Sequence, residues 1–418
     1  MSGPAHYARF SILPAGARPE ARLLLAARGL RGIGDGLVSL LLPVYLLVLG
    51  YGPVETGMIA TATLLGSALL SLLVGLQAHR ASGRALLIGA TILMVLTGIA
   101  FAVMDDFWPL LLVAFVGTLN PSSGDVSVFL PLEQAQLARM VTDRERTQLF
   151  ARYSFIGSIS AALGALGAAL PEAAVHGLGV GLKPALQGAF LMYAGLGGLA
   201  LLLYRRLPKV VAAAGTPASA GRALDRSRRI VIALAALFSL DAFAGGFTVQ
   251  SLLALWLFER FDLSLSAASV FFFWSSTLAA FSFPAAAWLS RHIGLINTMV
   301  YTHIPSSVFL IVAAFSPNVY VALGLLLVRS ALSQMDVPTR TSYVMAVVTP
   351  EERPAAASVT AVPRSLATAI SPAFAGVLLT TAFSGLPLVV CGVLKIVYDV
   401  ALLVSFRHIK PPEEMPPN

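Results

Sequence analysis

Thr142-Asp-Arg-Glu-Arg146 is answered 207 residues later by Thr349-Pro-Glu-Glu-Arg353. The two stretches follow the fourth and tenth apolar segments of the chain, and other pairs share their spacing. Pro131 and Pro338 are also 207 residues apart, Asp35 and Asp241 are 206 apart, and Arg80-Ala-Ser-Gly83 and Arg291-His-Ile-Gly294 are 211 apart. Nearly equal offsets on corresponding segments read as an internal repeat, six segments followed by six more.

The segments themselves lie near 29–50, 57–78, 84–104, 108–138, 149–170 and 184–204, then 229–258, 265–289, 295–315, 319–347, 356–382 and 387–406. Each is long and apolar enough for a membrane helix of roughly 20 residues. Composition agrees: 57% of residues are hydrophobic and 11% charged, against about 25% charged in a soluble domain, and mean hydropathy is +0.83. The expected fold class is an all-α polytopic membrane protein of about twelve spans. The expected division is an N-terminal segment 1–28, a bundle 29–204, a linker 205–228 holding Arg222, Arg226 and Arg228, a second bundle 229–406 and a tail 407–418.

The net charge of +8 raises nucleic acid as a partner, and placement argues against it. Arg84, Arg139, Arg144, Arg146, Arg291, Arg353, Arg407 and Lys410 fall in alternate loops, while Lys183 and Arg260 are nearly all that the other loops hold. Such asymmetry is the positive-inside pattern. It puts both termini in the cytoplasm of a plasma membrane of the bacterial inner-membrane type. Met1 to Glu20 lacks an apolar core with a cleavage site, so the first helix is expected to direct insertion. Cys391 is alone, so no intramolecular disulfide forms, and it reads as a packing residue.

Between the second and third segments stands Gly75-Leu-Gln-Ala-His-Arg-Ala-Ser-Gly-Arg84, with an echo in Ala287-Trp-Leu-Ser-Arg-His-Ile-Gly294. With the Glu-Arg pairs at 145–146 and 352–353, these stretches and the repeat resemble the major facilitator superfamily from Arg28 to Arg407. The resemblance implies two six-helix bundles around a central cavity lined by the first, fourth, seventh and tenth helices, a small-molecule substrate, and a monomer working by alternating access. Arg80 and Arg291 occupy the place where the family usually has its acid, which marks both as gating residues of altered chemistry. The fifth segment lacks the Gly-Pro of the family's antiporter signature, and Ser371-Pro-Ala-Phe-Ala-Gly376 mirrors it only in part. Direction of transport stays open.

An ionisable group at membrane depth is costly, so it faces protein or a wet cavity and marks a pathway. Arg31, Asp35, Asp125, Glu133, Asp241, Arg329, Asp336 and Arg340 fall on the four segments that the resemblance places at the cavity. Arg329, Ser333, Asp336 and Arg340 share one helical stripe. Asp336 and Arg340, four apart, alternatively neutralise each other, as do Arg31 and Asp35. Asp241 has no basic neighbour on its own segment. An unpaired, partly desolvated carboxylate exchanges protons readily, so Asp241 is the first candidate for proton coupling and Asp35 the second. In Asn120-Pro-Ser-Ser-Gly-Asp125 the Pro and Gly loosen the helix, and Asp125 becomes a proton or cation site. Glu133 is placed to form a gating salt bridge with Arg340.

Arg364, with Thr360 and Thr368 on its stripe, adds a second guanidinium. Arginine in a low-dielectric site suits carboxylate or other oxyanion recognition. The expected substrate set is Arg329, Arg364, Asp35, Asn120 and Gln250, taking an anionic or zwitterionic solute with protons. Lys395 and Asp399 read as a peripheral pair, and the run Phe271 to Trp274 as packing. A proton-antiport exporter of lipophilic cations remains the alternative within transport, and a non-transporting receptor the alternative outside it. No nucleotide-binding, metal or hydrolase motif is present, so no cofactor or enzymatic activity is expected.

Overall fold

The computed structural model describes residues 13, 17–77, 82–122, 127–141, 143–208, 227–349 and 352–409, and no strand occurs among them. The first half comprises α1 (Ala21–Val48), α2 (Pro53–Gln77), α3 (Gly83–Val103), α4 (Phe107–Val116), α5 (Phe129–Ala138), α6 (Asp143–Gly167), α7 (Leu170–Leu178) and α8 (Leu182–Arg205). The second comprises α9 (Arg228–Gly246), α10 (Gln250–Phe261), α11 (Leu265–Ile293), α12 (Leu295–Phe315), α13 (Val319–Ser333), α14 (Asp336–Val347), α15 (Arg353–Leu379) and α16 (Leu386–Phe406). Eleven helical segments among the described residues are long and apolar enough to cross a membrane. Large apolar side chains such as Trp108, Leu199, Trp274 and Val404 point outward from the bundle, as they must where the surrounding medium is hydrocarbon.

Three expected spans are not continuous helices. The fourth is broken between α4 and α5, where Asn120 Oδ1 accepts from Ser122 N at 3.2 Å and Ser122 Oγ at 2.8 Å. Pro121 cannot donate and Gly117 relaxes the backbone, so the side-chain amide takes over the local hydrogen bonding. The seventh is broken between α9 and α10 at Phe247–Val249, and the tenth between α13 and α14 at Gln334 and Met335. The first helix begins at Ala21, where hydropathy alone starts it near 29. Its extra turns carry Arg28, which is buried with its guanidinium 5.1 Å from the centre of the Tyr153 ring.

In the first half α1 packs on α6 and α8, and α3 on α8. The α1–α6 contact is backbone to backbone: a Cβ on Gly36 would meet Ala161 O, and one on Gly164 would meet Ile33 O. In the second half α9 packs on α15 and α16, and α12 on α13 and α16. The halves meet through α2 on α15 and α6 on α11. We call the end bearing the α1–α2 turn the far end and the end where α1 begins the near end. At the far end the α2–α15 seam closes tightly, because Gly57 and Gly376 face each other without side chains. Thr61 Oγ1 accepts from Ala373 N at 2.9 Å beside them. Glu172 of α7 accepts from both Ser266 N and Ser266 Oγ at 2.6 Å, a second tie between the halves.

Candidate functional site

A cavity of about 1150 Å³ lies between the halves, reaching from Thr248 and Gln250 to Leu72, Gln134 and Ser358 at the near end. All three helix breaks open onto it, through Ser122 and Ser127, Thr248 and Val249, and Ser333 and Gln334. Free backbone groups at membrane depth are tolerable only against protein or water, which explains why the breaks coincide with the cavity. Among the described residues five basic side chains line it, Arg28, Arg329, Arg340, Arg364 and Lys395, against two acids, Asp241 and Asp336. The described lining is electropositive.

Behind the first-half wall, Arg31 and Glu133 form a fully buried ion pair. Tyr153 and Tyr204 each donate a hydroxyl hydrogen bond of 2.5 Å to Glu133, and Arg31 Nε donates to Tyr204 Oη at 3.1 Å. Arg31 also lies 4.1 Å over the Phe129 ring, which stacks on Tyr204. Glu133 is therefore engaged within its own half, and the expected Glu133–Arg340 gate bridge is not formed. Arg31 likewise ion-pairs with Glu133, while buried Asp35 lies near enough to Arg31 and Tyr193 to act on both electrostatically.

The second-half cluster is larger. Arg340 Nη1 donates to Asp336 Oδ2 at 2.9 Å and to Asp241 Oδ2 at 3.1 Å. Lys395 Nζ donates to Asp241 Oδ1 at 2.7 Å. Asp241 is thus not the lone carboxylate that its own helix suggests: its cations come from α14 and α16, a relation that sequence spacing does not display. Lys395 and Asp399 do not pair with each other at the periphery. Lys395 turns to the cavity side, and Asp399 Oδ1 lies 3.1 Å from His303 Nδ1. His303 Nε2 lies 3.2 Å from Lys395 Nζ, and none of the sequence expectations includes that histidine.

Arg329 and Arg364 line the cavity, and among the described residues neither makes an ion pair. Gln250 lines it too, its Nε2 buried without a partner, and Arg364 Nε is likewise unpartnered. The sequence profile of the Major Facilitator Superfamily matches residues 24–329, well over half of the chain. The chain belongs to the Major Facilitator Superfamily. An uncharacterized membrane protein of Saccharomyces cerevisiae is 23% identical over 425 residues, covering 93% of this chain and 94% of its own. The fold is shared with a variant of the nucleoside transporter NupG, with a TM-score of 0.72, 14% identity, and coverage of 93% of this chain and all (100%) of that one. It is shared as well with an inward-facing, occupied bacterial homologue of the human lysosomal transporter Spinster, at TM-score 0.71, 16% identity and coverage of 94% and 98%.

In this facilitator the sequence-expected residues separate into groups. Arg329, Arg364 and Gln250 meet in the cavity, with Asp241, Asp336 and Arg340 on its wall. Glu133 is sealed behind the wall, and Asn120 is buried as the brace of the α4–α5 break. Arg291 is exposed near the end of α11. Arg80, Asp125, most of the linker and the end of the tail lie outside the described residues. Cys391 is fully buried, 3.4 Å from Thr248 Oγ1, as a packing residue should be. Phe271 and Phe272 pack inward while Trp274 points out. Missed by sequence reasoning were His303 and the cavity-facing role of Lys395. The available signal was Lys395 and Asp399 in an apolar segment facing a third helix with one histidine.

Proposed function

We propose that this membrane transporter moves a small anionic or zwitterionic solute by alternating access, with protons as the coupling ion, and that the cavity is its substrate site in a state open at the near end. The observation that carries the reading is the pair Arg329 and Arg364, two guanidiniums facing an electropositive cavity with no acid bound to either among the described residues. Leaving such charges unpaired inside a membrane is expensive unless a ligand or water completes them. A carboxylate or phosphate does so with bidentate geometry. Gln250 supplies a further donor. With the N-terminus in the cytoplasm, as the loop arginines support, the near end is cytoplasmic and the state is inward-open; the protein would then sit as a monomer in the plasma membrane with both termini inside. The rival cation exporter is less well supported, because Asp241 and Asp336, the acids that line the cavity among the described residues, are already held by Arg340 and Lys395.

Metabolite profiling of cells with and without the protein, followed by flux of the altered compound in proteoliposomes at two opposed pH gradients, tests this reading. The expected compound carries a carboxylate or phosphate and its flux follows the proton gradient. Movement of a lipophilic cation instead would favour the exporter, and no solute movement under any imposed gradient would favour a non-transporting receptor.

A further inference from the structure

We propose that His303 and Asp399 form a proton-binding site, set behind the cavity wall, that controls the charge presented to the substrate through Lys395. The inference rests on the cavity being the substrate site, and it deepens that reading by locating the coupling proton away from the cavity carboxylates.

The hydrogen bonds determine the state of the imidazole. Lys395 Nζ has only protons to offer, so at 3.2 Å it makes His303 Nε2 an acceptor. The ring hydrogen then sits on Nδ1 and is donated to Asp399 Oδ1 at 3.1 Å. This geometry is the one a neutral imidazole would adopt. Around the ring, Arg340 pairs with Asp241 and Asp336 and Lys395 pairs with Asp241, so among the described residues only His303 stands in ion-pair contact with Asp399. Asp399 is fully buried and its Oδ2 has no hydrogen-bond partner among the described residues, so the unmet need for a cation falls there. A buried carboxylate left so exposed to low dielectric draws a countercharge.

One proton added at Nε2 supplies that countercharge. The imidazolium completes an ion pair with Asp399, and Nε2 changes from acceptor to donor. An ammonium can no longer stand at 3.2 Å from it. The donor that Nε2 gains points instead toward Asp241 Oδ1, now 3.8 Å away and occupied by Lys395. The imidazolium therefore takes the place of Lys395 on Asp241, and Lys395, already on the cavity wall, is released into the cavity. The substrate site gains one free positive charge for each proton bound. By linkage, the proton raises affinity for an anion and the anion raises affinity for the proton, which is the thermodynamic form of proton–anion cotransport.

Other titratable groups around His303 do not replace it. From α16 come Lys395, Asp399, Cys391, which contacts Thr248, and Tyr398, whose ring meets the imidazole edge-on at 6.1 Å. From α9 comes Asp241, and α14 reaches the site through Arg340, which pairs with both Asp241 and its own helix's Asp336. From α13, the Arg329 carbonyl accepts from Ser306 at 3.5 Å while its guanidinium faces the cavity. Among the described residues α11 adds no ion pair to the cluster.

The test is made on the purified full-length protein. In ¹⁵N-histidine NMR, His303, assigned by its loss in His303→Gln, is expected to change from the neutral Nδ1–H form to the imidazolium on acidification. In parallel, acetylation by an N-hydroxysuccinimide ester is read by mass spectrometry as the ratio of Lys395 to Lys183, which cancels the intrinsic pH dependence of amine reactivity. The ratio is expected to rise severalfold on acidification in the native protein and to stay flat in Asp399→Asn. An Nε2–H tautomer, a histidine that stays neutral throughout, or a flat ratio in the native protein overturns the proposal. None of these readouts requires transport, so their failure is distinct from a failure to find an anionic substrate.

Discussion

The two halves of the molecule bury charge in opposite ways. In the first, Arg31 and Glu133 balance one to one, and two tyrosine hydroxyls close the remaining valences of the carboxylate. In the second, Asp241 is shared between Arg340 and Lys395, Asp399 keeps one bare oxygen, and the cluster borders the cavity. Asp35 and Asp241 hold equivalent places in the repeat, yet only the second lines the cavity in this structure. The contrast teaches that pseudo-symmetry of backbone need not carry over to function: one half seals its ion pair behind the wall as an abutment, and the other, the working half, sets its charges on the cavity.

The largest expected effect falls on the sealed half. Glu133→Ala leaves Arg31 buried without its partner and is expected to cost roughly 3–5 kcal/mol, read as a fall in the thermal unfolding midpoint in detergent. Asp241→Asn, beside a cavity and with Arg340 still held by Asp336, is expected to cost less, about 1.5–3 kcal/mol. If the two costs were reversed, the assignment of abutment and working half would be wrong. Tyr204→Phe removes one hydroxyl from Glu133 and is expected to cost about 0.5–1.5 kcal/mol in the same assay. Gln250→Ala sits at the bottom of the scale, within about 0.5 kcal/mol of the native stability, because its amide nitrogen has no partner among the described residues. That substitution should weaken substrate binding without weakening the fold, and a clear loss of stability would place Gln250 in the structural frame.

Much of this architecture is legible in the sequence, and the reasons for what is not are physical. The apolar segments, the repeat and the break at Asn120–Asp125 are local signals, carried by hydropathy and by Pro and Gly. The break near Thr248 is not foreseen, since no proline marks it; the one at Gln334 lies four residues before Pro338, which has no N–H to give the Gln334 carbonyl, but an otherwise regular polar stripe masks it. Arg329, Arg364 and Gln250 are reachable because cost of burial singles out polar groups one at a time. Pairings are not reachable in that way. Asp241 looks unpaired on its own helix and is held by residues 99 and 154 positions away. Glu133 looks available to Arg340 and is taken by Arg31, 102 positions distant. Spacing along one helix says nothing about which third helix intervenes.

Arg329 and Arg364, without an acid partner among the described residues, are proposed to recognise an anionic solute. Once flux identifies that solute, its binding to purified native protein, Arg329→Ala and Asp241→Asn can be compared by calorimetry at one pH, with folding checked by thermal unfolding. The account predicts that Arg329→Ala binds about 10–100-fold more weakly, the equivalent of one lost charge-assisted contact, while its unfolding midpoint is kept. Binding that survives Arg329→Ala and disappears with Asp241→Asn would contradict it and point to a cation read by the acid.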